Sequence, residues 1–349
     1  MTAPTITPPA PAPAGPSAAS RIFRSFTRAR ETGILAALII VIAVTAAINP
    51  GFLFSPDGWR DLLLTPAILA LVAIGQAIVI ITRNVDLSVG SVVGLTAYLT
   101  GQLFVGIPGI PIILVFVSGA LAGGLLGLVN GALVAYGKVP ALVITLGTLY
   151  AYRGINVLWA GSNRINASDV PSAFLNLGTG SFLSIPYLTI LALVVLLVAG
   201  WYLRNRRGGR ELYAIGSDPA AAELYGLKVT RRVLTAFVLS GALAGLAGVL
   251  FVARYGTVSS QTGTGLELQA VGAAVIGGVA IFGGSGSVYG AALGAMLLLT
   301  INRALPILGI QDFWQQAVVG VLIIGAIVLD RVLALRLSRR LVAEREVGA

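Results

Sequence analysis

Long uncharged apolar runs organise this chain. Residues 32–56, 62–82, 87–137, 170–203, 233–253 and 268–302 carry no Asp, Glu, Lys or Arg. Each reaches the ~20 residues needed to cross a hydrocarbon core of ~30 Å as a helix. Bundled helices are the indicated form, because the strands of a membrane barrel alternate polar and apolar positions and these runs do not. Gly and Pro divide the runs that are too long for one crossing. Residues 87–137 break at Gly106-Ile107-Pro108-Gly109-Ile110-Pro111, and a later run breaks around Gly283-Gly284-Ser285-Gly286. The pattern predicts an all-α polytopic membrane bundle of about ten transmembrane segments, near 33–49, 64–82, 87–105, 112–135, 139–160, 185–203, 233–253, 267–282, 287–305 and 313–330. The eighth is too short to cross upright, so it is either tilted or one half of a broken pair with the ninth.

Composition agrees: 57% of the 349 residues are hydrophobic and only 10% charged, against roughly 25% charged in a soluble domain. There is no cysteine and no histidine. That removes disulfides, thiol chemistry and the commonest metal ligand and proton relay, so neither a catalytic nor a metal site is expected, and no cofactor is implied.

The net charge of +10 does not indicate nucleic acid, because the basic residues sit at the ends of apolar segments rather than in one patch. With the N-terminus inside, 18 of the 23 basic residues fall on the cytoplasmic side, which predicts cytoplasmic termini. The other five, Arg60, Arg153, Arg164, Arg254 and Arg303, fall outside or near the outer end of a span, to which Arg153 can snorkel. Residues 1–30 begin with a Pro- and Ala-rich stretch that reads as a disordered cytoplasmic tail. Residues 31–333 form the membrane domain and 334–349 a second cytoplasmic tail. The basic cluster before residue 33 also fits a secretory signal, but further spans follow at once, which favours an uncleaved first helix.

The longest cytoplasmic loop, 204–232, reads RNRRGGRELYAIGSDPAAAELYGLKVTRR. Ser217 or Asp218 can cap a helix, Pro219 suits its first position, Ala220 to Tyr225 propagate it and Gly226 can end it in a left-handed conformation. A helix of two turns is not stable alone, so residues 217–226 should dock on something. A plain reading of the same loop is a solvated basic segment that sets topology.

Five motifs run through the chain. They are Thr82-Arg83-Asn84-Val85-Asp86-Leu87-Ser88-Val89-Gly90-Ser91, then Pro140 to Gly147 followed by Tyr152-Arg153-Gly154, then Gly216-Ser217-Asp218-Pro219. Gln261-Thr262-Gly263-Thr264-Gly265-Leu266-Glu267 and Ile276-Gly277-Gly278 through Ser287 complete the set. Over roughly residues 31–333 the chain resembles the permeases of ATP-binding-cassette importers for monosaccharides, the branch with ribose, xylose, rhamnose and autoinducer-2 permeases. The resemblance implies a non-catalytic subunit that forms the translocation pathway. It implies as partners a second permease (a copy or a paralogue), two ATPase subunits or one fused tandem ATPase, an extracytoplasmic solute-binding protein and the bacterial inner membrane. It also implies that residues 217–226 are the coupling helix, with Ala220, Ala221, Glu223, Leu224 and Tyr225 as contacts to the ATPase. The chain has no G-x-x-x-x-G-K-[ST] loop, so ATP binds elsewhere. Within the family the motifs favour a rhamnose-like sugar, with autoinducer-2 or ribose and xylose as the other choices.

Arg83 and Asp86 stand at a membrane boundary, where they can pair with each other at i, i+3; alternatively Asp86 caps a helix beginning at Leu87, or the motif that also holds Asn84, Ser88, Gly90 and Ser91 takes a direct part in gating. A hydroxylated solute needs polar groups along its path, and Gln76, Asn130, Thr145, Thr148, Tyr152, Asn156, Gln269 and Asn302 lie within or beside spans. Each can instead bond a neighbouring helix. The hexapeptide Ser-Gly-Ala-Leu-Ala-Gly occurs at both 118–123 and 240–245, which is a sign of internal repetition or of small-residue helix packing. An ion-coupled secondary transporter is the rival class; it usually carries intramembrane Asp, Glu or His, which these spans lack apart from boundary residues.

Overall fold

Apolar length becomes helix here wherever caps and glycines permit it. A computed structural model of the chain describes residues 30–311 and scattered positions between 314 and 328. The predicted span 313–330 and both tails therefore lie largely or wholly outside the described residues. Among those described, α1 (Arg30–Ile48) is followed by the single turn α2 (Gly51–Phe54), α3 (Pro56–Ile81), α4 (Val89–Gly106), α5 (Ile112–Gly137) and α6 (Ala141–Ala160). Then come the short α7 (Ser172–Thr179), a hairpin of β1 (Ser181–Phe182) and β2 (Ile185–Pro186), and α8 (Tyr187–Asn205). The chain continues with α9 (Arg207–Ser217), α10 (Pro219–Leu224), α11 (Val229–Tyr255), α12 (Leu266–Ile276) and α13 (Val288–Ile307). Eight of these, α1, α3, α4, α5, α6, α8, α11 and α13, are long and apolar enough to cross a membrane.

Helix α3 is the axis of the bundle. It is apolar on every side and nearly all of it is buried, as a helix must be when packed all round by others. It touches α8, α11, α12 and α13. It also starts earlier than its apolar run suggests, because the Ser55 hydroxyl accepts from the Gly58 N–H at 2.8 Å and Pro56 occupies the first turn. Helices α5, α6 and α8, in contrast, bury only a stripe and present Leu, Val, Ile and Trp outward. Such a surface fits lipid rather than water.

The two Ser-Gly-Ala-Leu-Ala-Gly segments face each other across the α5–α11 contact. A Cβ on Gly123 would strike the Gly241 carbonyl, and one on Gly245 would strike the Gly119 carbonyl. The echo therefore serves a close helix crossing, which only small residues allow.

The two ends of the bundle differ in charge. Arg83 and Lys138 line one cleft with a single acidic residue, Glu223, and α9 with Arg207 and Arg210 lies at the same end. At the far end Arg254 pairs with Asp61 at 3.3 Å, and Arg303 donates to the Gly58 carbonyl at 2.9 Å. Ile165 and Val258 are bridged there too.

Two crossings are interrupted. The predicted span 267–282 is helical only as α12, whose 11 residues rise about 16 Å, half of what a crossing needs. It stops at Gly277-Gly278, the second at φ +83°, and residues 277–287 carry the chain to the basic end, where the Gly284 N–H donates to the Ile81 carbonyl at 2.9 Å. The ninth segment is not its matching half, since α13 has 20 residues. The second interruption lies between α3 and α4. Helix α4 starts at Val89 rather than Leu87, with Gly90 against Gly263 and Glu267 at the head of α12. Residues 82–88 therefore climb from the basic end into the bundle without helical structure.

Candidate functional site

Backbone at membrane depth that is not helical must have its N–H and C=O groups satisfied by the protein. This need explains most of the polar residues inside the bundle. With its amide turned to suit its partners, Gln76 on α3 donates to the Asp86 carbonyl at 3.1 Å and accepts from the Asp86 N–H at 3.2 Å. Thr145 on α6 donates to the Val85 carbonyl at 3.1 Å. The Asp86 carboxylate accepts from both the Ser88 N–H (2.9 Å) and the Ser88 hydroxyl (2.6 Å). Asn130 on α5 donates to the Ser88 oxygen at 2.6 Å and accepts from the Tyr152 hydroxyl at 3.2 Å, and that hydroxyl also reaches the Leu126 carbonyl. Three helices, α3, α5 and α6, thus hold one extended segment.

This arrangement corrects two expectations. Arg83 does not pair with Asp86, and Asp86 does not cap a helix at Leu87. Asp86 instead closes a turn onto Ser88, which takes up the N–H that would otherwise join the helix. Ser91, one turn further along, donates to the Leu149 carbonyl at 2.8 Å. Asn84 folds back onto the Thr82 carbonyl and hydroxyl.

The polar set proposed for the solute path divides accordingly. Gln76, Asn130, Thr145 and Tyr152 are engaged around residues 82–88. Thr148 bonds within its own helix, to the Thr145 carbonyl at 3.3 Å. Asn156 donates to the Ser260 carbonyl at 3.2 Å while its carbonyl oxygen has no partner. Gln269 lies half-buried on α12 and Asn302 on α13, the latter with an unpartnered oxygen. Arg153 does not snorkel outward; it lies 3.7 Å from the buried Glu267, whose other oxygen accepts from the Gly265 N–H.

At the basic end, Arg83 reaches the loop that carries the helix signals. Its Nε donates to the Gly216 carbonyl and its Nη2 to the Ser217 carbonyl, both at 2.6 Å. Gly216 is wedged against the Ile81 carbonyl and the Gly284 N–H so closely that a Cβ has no room. The α9–α10 junction therefore touches both interrupted crossings at once.

Helix α9 itself was not legible as a helix. Gly208-Gly209 reads as a breaker, yet these glycines let α9 lie against Leu203 and Arg232. It buries Leu212 and Ile215, and Tyr213 donates to the Gly286 carbonyl at 3.1 Å. Glu211 is paired with Arg232 and with Arg207. The Arg232 hydrogen bond, opposed by burial and aided by Arg207, holds its carboxyl below the ordinary glutamate value.

Helix α10 follows. Asp218 Oδ1 accepts from the Ala220 and Ala221 N–H groups, both at 3.0 Å, Pro219 takes the first position and Gly226 has φ +76°. Asp218, not Ser217, is the cap; the Ser217 carbonyl is held by Arg83. Leu224 is 89% exposed and Tyr225 86% exposed. Beside them opens a cleft of about 560 Å³ lined by Arg83, Asn84, Lys138, Glu223 and Thr230 among others. An amphipathic anchor, a capped helix with bare apolar tips, and a mechanical tie into two interrupted crossings make up the site.

The family model described as "Branched-chain amino acid transport system / permease component" matches residues 60–327. The chain belongs to that permease family. Among its relatives, the Autoinducer 2 import system permease protein LsrC of Enterobacter sp. (strain 638) is 37% identical over 318 residues, covering 90% of this chain and 91% of that protein. Its counterpart in Klebsiella pneumoniae is 38% identical over 318 residues, 90% of each chain, and that of Salmonella typhi 36% over 312 residues, 89% and 88%. No solved structure matches the chain. This permease is a multi-pass protein of the bacterial inner membrane. The relatives are named for autoinducer 2 and not for rhamnose, which the motifs had favoured, and they do not support an ion-coupled mechanism.

Proposed function

We propose that this permease forms the translocation pathway of an ATP-binding-cassette importer for autoinducer 2, received from a solute-binding protein at the far end and released at the basic, cytoplasmic end. The observation that carries the reading is α10. It projects Leu224 and Tyr225 into open space from a junction bonded to residues 82–88 and packed on residues 277–287. Exposed large apolar side chains on a short, rigidly capped helix suit insertion into a protein cleft. An ATPase that closes on ATP supplies the differential free energy, and the junction carries it to both interrupted crossings. Residues 217–226 act as the coupling helix in this scheme. A second permease, either a copy or a paralogue, completes the pathway, and two ATPase subunits or one tandem ATPase bind below. The loop 261–265 offers Gln261 and Thr264 to the solute-binding protein.

The test is ATP hydrolysis by the reconstituted complex, measured with the binding protein loaded with autoinducer 2 and separately with rhamnose. Stimulation by the first and not the second is expected; the reverse result would restore the sugar. In the same assay Glu223→Arg should leave the complex folded but break the link between hydrolysis and uptake. Wild-type coupling in that variant would remove α10 from the ATPase contact.

A further inference from the structure

A groove of about 460 Å³ runs along the outer surface between α3, α8 and α11. Its walls are apolar side chains, among them Ile78, Val194, Val198, Leu239 and Leu243, with Thr235 and Trp201 at the basic end. These positions belong to membrane-crossing helices, so what fills the groove is drawn from the membrane interior. From Trp201, near the basic end of α8, back to Val194 the groove follows about 10 Å of helix inward. The groove therefore begins at headgroup level and enters one leaflet.

Its mouth is basic. The Arg206 guanidinium lies 4.6 Å from the centre of the Trp201 ring, which fixes the cation over the groove wall. Arg231 stands one turn before Thr235, whose hydroxyl donates to the Arg231 carbonyl at 2.7 Å. Arg207 and Arg232 share Glu211 as their ion-pair partner. Among the described residues no acidic side chain pairs with Arg206 or Arg231. A tail-shaped apolar furrow, an interfacial tryptophan and two uncompensated arginines meet at one membrane surface. Basic pockets between transmembrane helices of this kind suit anionic lipid headgroups.

We infer that the α3–α8–α11 groove is a binding site for an anionic phospholipid, with one acyl chain along Val198 and Leu239 and the phosphate between Arg206 and Arg231. The walls include α3, the bundle axis, and α11, which begins directly after α10. A lipid seated there stiffens the base against which the α9–α10 segment moves.

The test uses the assembled transporter, stripped of lipid in detergent and titrated with phosphatidylglycerol or phosphatidylcholine of the same chains, with bound lipid counted by native mass spectrometry. At about a fivefold gain per arginine near a headgroup, wild type should prefer phosphatidylglycerol by about 25-fold. Arg206→Gln with Arg231→Gln should bring that preference close to unity while phosphatidylcholine binding stays unchanged. Val198→Trp, which fills the groove, should lower binding of both lipids, and Leu121→Trp on the outward face of α5 should lower neither. Equal retention of the two lipids by wild type would overturn the inference. So would cross-linking of Val198→Cys to the second permease, since a protein would then occupy the groove.

Discussion

Gln76 shows how much one side chain does inside the bundle. Both of its amide groups serve the backbone of Asp86, one accepting and one donating. A methionine of similar length would leave an N–H and a C=O unpaired in a dry interior, each costing about 1–3 kcal/mol. Gln76→Met should therefore destabilise the permease by about 2 kcal/mol or more, read as a lower melting midpoint in detergent. A change confined to transport, with stability intact, would return Gln76 to the solute path. The sequence exposed these polar residues but not their partners. Gln76, Asn130, Thr145 and Tyr152 are 54, 15 and 7 positions apart along the chain, and nothing in their spacing says that the first three converge on residues 82–88 with Tyr152 bonded behind Asn130. The same holds for Arg83: a partner at i+3 is visible in sequence, whereas the carbonyls of Gly216 and Ser217 are brought to it only by the fold.

At the scale of elements, local chemistry was legible where it is self-contained. Asp218, Pro219 and Gly226 specify α10 by capping, and the caps are formed as their residue types dictate. Helix α9 was not legible, because its stability comes from packing and from ion pairs to another helix. Glu211 makes that dependence measurable. Its carboxyl titrates below the glutamate value of 4.5 because Arg232 and Arg207 favour the charged form. A group with a depressed folded pKa contributes stability that is fully present above its unfolded value and is lost as pH falls through its folded value. Acidification from about pH 7 should leave the α9 attachment intact until below about 4.5 and then loosen it, seen as faster amide hydrogen exchange over residues 207–217. Glu211→Gln should show the looser state already at neutral pH and respond less to acid. An unchanged exchange pattern in that variant would mean that the apolar face of α9 suffices.

For the whole molecule, the decisive point is whether a helix of 11 residues and an irregular segment complete one crossing between them. If they do, residues 257–265 and residues 277–287 lie on opposite sides of the membrane, and the latter share a side with α10. The alternative is a re-entrant loop, which would return residues 277–287 to the side from which α12 enters. The packing supports a crossing, because Gly284 is bonded to Ile81 and wedged against Gly216 while the head of α12 lies beside Gly90. The chain contains no cysteine, so single substitutions report accessibility without a background. In sealed inside-in vesicles, Gln261→Cys should react with a membrane-impermeant maleimide added outside. Leu224→Cys and Phe282→Cys should react only after the vesicles are opened. Labelling of Phe282→Cys from outside would make α12 re-entrant and break the tie between α10 and both interrupted crossings. The permease would then have one intramembrane lever, residues 82–88, instead of two that meet at Gly216.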